Sequence, residues 1–149
     1  MADFVFNIAK GKVAYYASLP AADDAIIVLL LLTSGLESDA VLKDKDDVAA
    51  LVSGATDEAT GGAYVRKTAA TVTVTVDDSG DLVDVDCADI TWTALACGPV
   101  AKLVFAYDGD TTGGADSAII PLTCHDFAVT PDGTDVVAQV TATGFFRAS

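Results

Sequence analysis

Carboxylates dominate the residues of this chain that could do chemistry. Of its 22 acids, 20 are aspartates; only Glu37 and Glu58 are glutamates. Asp77, Asp78, Asp81, Asp84 and Asp86 crowd one short stretch. Calcium takes several oxygen ligands, and carboxylates around a turn can converge on it. Asp-Ser-Gly-Asp at 78–81 is also ordinary turn chemistry, with Asp84 and Asp86 on a solvated face, and that reading demands less. A second group, Asp108, Asp110, Thr112 and Asp116, resembles a calcium loop with Gly113 at its turn. The closing glutamate position holds Ile119 and no helices flank the loop, so the motif fails and a flexible loop is expected. His125 is the only histidine, which excludes a multi-histidine zinc site. Asp126 lies beside it, but no nucleophile elbow accompanies the pair.

The cysteines add little. Cys87, Cys97 and Cys124 form no CxxC pair and leave an odd count. Cys87 alternates in register with Val83 and Val85, as a buried free thiol would. Cys124 and His125 are adjacent, and neighbours on a strand point to opposite faces, so they do not form a nucleophile–base pair. No Walker motif and no GxGxxG is present. The expectation is therefore no catalytic residue, no metal ligand and no cofactor.

The elements that position these groups read as mostly β. Residues 71–86, TVTVTVDDSGDLVDVD, are two alternating runs around a turn, which predicts a β-hairpin. Val72, Val74 and Val76 share one face, and Thr71, Thr73 and Thr75 the other. After the turn, Val83, Val85 and Cys87 alternate with Leu82, Asp84 and Asp86. The continuous apolar run AIIVLLLL at 25–32 is far too short to span a bilayer. Periodicity leaves 26–33 as strand or helix piece, and its length and flanking Asp23-Asp24 and Ser34-Gly35 favour a central strand buried on both faces. It follows Asp23 and Asp24 instead of a basic segment, so no signal peptide is expected.

Two helices are expected near the front. One falls within 9–19 and ends at Pro20. The other covers 44–53, capped by Asp44 or Asp46, with Val48, Leu51 and Val52 as its apolar face and Gly54 as its stop. Further strands are expected over 89–95 and 102–107. Pro121 marks 117–124 as an edge strand or a bulge. A second hairpin is expected from 127–130 and 136–140 around Pro131-Asp132-Gly133. The whole is an α+β, mostly β single domain over 1–149. Its form is a compact antiparallel β-sandwich or open barrel with one or two helices in the N-terminal third, and extended arms at 1–8 and 144–149.

Charge narrows the partners. A net charge of −14 argues against direct nucleic-acid binding and disfavours an acidic membrane surface. It suits a protein that must stay dispersed at high concentration.

Several stretches resemble a family of small virion proteins of tailed actinobacterial bacteriophages. They are ADFVFNIAKGKVAYYASLP, DDVAAL, VTVTVDD, DVDCADITWTA, KLVFAYDGDTTGGADSAIIPLTCHDFAVTPDGTDVVAQV and GFFRAS. The resemblance implies a non-enzymatic capsid decoration or minor capsid protein, made in the host cytoplasm and carried on the capsid surface. Its partners would be the major capsid protein or another virion protein, with the chain itself a homo-oligomer such as a trimer. It supplies no catalytic residues. Phe4, Phe6, Phe145 and Phe146 are then candidate lattice contacts or core, and the Thr71, Thr73, Thr75 face a candidate pairing surface. Alternatives are a head–tail connector, a tail or fibre component, or a carbohydrate- or calcium-binding β-module with Trp92 or Tyr107 as a stacking platform.

Overall fold

An eight-residue strand with no polar side chain has to be covered on both sides, and the fold is arranged around doing so. In a computed structural model, which describes residues 3–149, the strands in chain order are β1 (Phe4–Val5), β2 (Ala25–Leu32), β3 (Lys67–Thr68), β4 (Thr73–Asp77), β5 (Leu82–Asp86), β6 (Ile90–Trp92), β7 (Val100–Asp108), β8 (Ile120–Val129), β9 (Val136–Ala138) and β10 (Phe146–Ala148). Three short helices, α1 (Val13–Ala17), α2 (Asp39–Leu42) and α3 (Val48–Leu51), all precede β3. The main sheet has the order β1-β8-β7-β2-β3; β10-β5-β4 and β6-β9 form two smaller sheets. All pairings are antiparallel.

Alternation along β2 divides the core. Ile26, Val28 and Leu30, with Leu103 and Phe105 of the neighbouring β7, face a cluster with Val85, Trp92 and Phe145, covered by the smaller sheets and α1. Ala25, Ile27, Leu29 and Leu31 face a second cluster with Val104, Cys124, Leu42, Val48 and Leu51, supplied by α2 and α3. The fold is thus mostly β within an α+β class, as expected, and the barrel does not close. No helix among the described residues is long and apolar enough to cross a membrane.

Most elements lie where the patterning put them, with instructive differences. The hairpin pairs Thr75 with Asp84 and Val74 with Val85. It begins at Thr73 because Thr71 sits at φ +52°, a left-handed conformation that a β-branched residue enters only outside a strand. The helix over 44–53 contracts to α3. Its cap is Asp47, whose carboxylate accepts from the Ala50 amide at 2.6 Å, instead of Asp44 or Asp46. Pro121 occupies a register shift where β8 meets Phe105 and Ala106 of β7, so the bulge reading holds.

The second hairpin does not form. Val129 pairs with Val100 across β7, and β9 pairs with β6. Burying Trp92, whose indole donates to the Val65 carbonyl at 3.0 Å, requires a neighbour beside β6, and β9 supplies it. The supposed C-terminal arm is β10, laid against β5. Gly144 makes the entry: at φ +76° its missing Cβ would stand 2.0 Å from the Val85 carbonyl oxygen. Of the front arm, Met1 and Ala2 lie outside the described residues, and Phe4 and Val5 pair with Cys124 and Thr123.

Because Leu29 and Leu30 are both fully buried but on opposite faces of β2, Leu29→Ala and Leu30→Ala should each cost about 2–5 kcal/mol in denaturant unfolding. Val76→Ala, at an exposed site, should change stability by less than about 0.5 kcal/mol.

Candidate functional site

The turn acids are occupied within their own loops. Asp77 accepts from the Ser79 hydroxyl at 2.8 Å and from the Ser79 and Gly80 amides at 3.0 Å. Asp110 and Asp132 do the same for Thr112 and Thr134. These bonds favour the charged form, so all three carboxyls lie below the usual range, the hydroxyl donors contributing most. Asp84 lies on the outward face, across from the exposed Thr75, and there β10 brings Arg147 against it in a two-bond fork at 2.6 and 2.7 Å. Asp116, the last acid of the failed calcium loop, is forked to Arg66 at 2.6 and 2.9 Å. Arg66 also clasps Glu58, and Tyr64 donates to Glu58 at 2.8 Å while its hydroxyl receives the Leu30 amide at 3.1 Å. Among the described residues, no three His, Cys, Asp or Glu side chains converge in a way that could hold a metal.

The histidine and cysteines divide as the strand period requires. Cys124 packs in the α2–α3 cluster, whereas the His125 ring meets Phe105 edge-on at 5.7 Å on the other side. His125 Nε2 lies 3.0 Å from the Thr123 hydroxyl, and Nδ1 lies 3.1 Å from Asp3. Asp3 also accepts the Asp126 amide at 2.9 Å. Burial pushes Asp3 up, but that amide and the ring outweigh it and hold the carboxyl low. The three free thiols are buried, and desolvation pushes Cys87 up to about 11 and Cys124 up to about 12. None is poised as a nucleophile.

Lys102 is the functional-looking group that sequence patterning missed. It sits in an apolar strand, is 0% exposed, and its ammonium lies 2.7 Å from Asp126 and 3.0 Å from Asp39 at the start of α2. Desolvation lowers its affinity for the proton, but the hydrogen bonds to Asp126 and Asp39 more than offset this, so the group stays charged. A signal was present: Lys102 is two residues from Val104 on β7, so period-two alternation puts both on the face covered by α2 and α3.

The candidate lattice contacts separate. Phe6 is fully buried and Phe145 is 8% exposed, stacked on Phe105 with centroids 4.0 Å apart, so both are core and not surface. Phe4 is half-buried edge-on to Phe6, and Phe146 is half-buried against the main core. Trp92 is fully buried and offers no stacking platform; the Tyr107 hydroxyl is tied to Asp24 at 2.8 Å. Thr71, outside the strand, no longer shares a face with Thr73 and Thr75, which stay exposed on β4 at the end of its sheet.

The lowered carboxylates fix the sign of the pH dependence. The unfolded chain takes up protons at these sites first, so their stabilisation is fully present above about pH 4 and is lost as pH falls through their lower folded values. Thermal melts should therefore decline steeply below about pH 4, and Asp116→Asn should make that decline shallower. A flat profile down to about pH 2.5 would contradict this assignment. No protein-family model, curated protein or solved structure matches this chain.

Proposed function

We propose that this chain is a non-enzymatic structural protein of a bacteriophage virion, a decoration protein that binds the outer capsid surface. The observation that carries the non-enzymatic part is that its reactive side chains are engaged in holding the fold. Turn acids bond to their own loops, Asp84 and Asp116 hold arginines, His125 bridges Asp3 and Thr123, and the thiols are buried. The virion part rests on the resemblance of the segments quoted from 2–20 through 144–149.

What the chain presents outward fits a binding role. Val41, Val65, Val76 and Val137 are exposed, and β4 ends its sheet with Thr73 and Thr75 uncovered. An open strand edge can be extended by another chain through main-chain hydrogen bonds. The net charge of −14 keeps free copies apart until a specific contact is offered. A calcium- or carbohydrate-binding module has less support, since Trp92 is internal and the turn acids are already bonded.

Densitometry of purified virions tests this reading. A copy number comparable to that of the major capsid protein is expected; fewer than about a dozen copies would point to a connector, tail or fibre component with its low symmetry. Thr73→Lys should reduce incorporation while leaving the melting temperature unchanged, because the position is exposed.

A further inference from the structure

The sheet edges of this fold are unequal. β1 and β3 are two residues long, and β6, β9 and β10 are three. Such short edges give a foreign strand little to hold. β4 has five residues, TVTVD, with continuous register against β5 and no lysine, proline or bulge to blunt it. Val76 is 63% exposed at its end. Beside it a groove of about 500 Å³ opens between the main sheet and β4, of mixed character: Ser18, Asp24 and Thr68 line part of it, and Val72 and Val74 form its apolar rim. One strand thus carries both an apolar knob, Val76, and an apolar rim, Val74, at the mouth of a mixed recess.

We propose that β4 pairs antiparallel with β4 of a second copy of this chain, about a two-fold axis at Thr75. The strand is self-complementary in that register. Thr75 meets Thr75, Thr73 meets Asp77, and Val74 meets Val76, each pair repeated by the symmetry. Directly opposed side chains lie about 5 Å apart at Cβ, so the exposed Val76 of each copy reaches the rim of the other copy's groove.

The charges allow a copy despite the overall −14. Asp77 would face a threonine hydroxyl, not another acid. Asp84 and its counterpart would be three strand spacings apart, about 14 Å, beyond the screening length at physiological salt. Asp84 is in any case paired with Arg147. The contact therefore strengthens as ionic strength rises, because only the diffuse charge opposes it. A differently charged protein partner would show the opposite salt response.

Purified protein alone provides the test, and the pairing does not depend on where the chain resides. Sedimentation should give a mass of two copies. Thr75→Cys should form a covalent dimer on mild oxidation, since opposed Cβ atoms approach disulfide range on the axis. Thr73→Cys, opposite Asp77, should not. The native thiols are buried and do not compete. Val76→Asp should weaken association by at least about tenfold at an unchanged melting temperature, as expected for a charge placed in an interface core. A monomer at every concentration, a mass of three copies, or equal cross-linking of the two cysteine variants would overturn the proposal.

Discussion

Covering β2 on both faces is the constraint from which the rest of the architecture follows. One face takes Ile26, Val28 and Leu30, and the other takes Ile27, Leu29 and Leu31. The long neighbour β7 pairs along one edge of the strand over its whole length. One face is closed by the small sheets and the other by α2 and α3. These helices are four residues each, too short to stand alone, and exist because Leu42, Val48 and Leu51 complete that layer.

The same constraint explains where the charges went. A layer built from short pieces needs fastening. Lys102, with Asp39 and Asp126, ties α2 to β7 and β8 beneath the helical layer. Removing one partner of a buried charge strands the other, so such a group is held by its surroundings more than it is free to react. Arg66 fastens Glu58 near β2 to Asp116 before β8, and Arg147 fastens the last strand to β5. Acids that read as a metal site in one dimension are divided in three dimensions among separate local tasks.

How much was legible in the chain depended on the range of the interaction. β2, the hairpin, the Pro121 bulge and the opposed directions of Cys124 and His125 all follow from period-two alternation and turn chemistry, which are local. The partner of β9 was not local. Phe127 and Val129 continue β8 instead of turning back on β9, and the choice is made by Trp92, more than 30 residues earlier, which must be enclosed. Phe145 could be read as lattice contact or core, because nothing nearby in sequence announces Phe105 as its stacking partner. The role of Lys102 was hidden because its partners, Asp39 and Asp126, are brought to it only by the packing of α2 and β8 on β7.

Many of the chain's acids and bases hold the fold together, and β4, five residues long, ends its sheet with one edge open, the edge assigned above to a second copy. Under the proposed reading, such a protein would bind by shape and strand pairing, in many copies, on a regular support. A reconstruction of the virion at a resolution that separates strands tests this most directly. The account predicts repeating density for this fold on the outer capsid surface. Density confined to the portal, tail or fibres, or none at all, would contradict it.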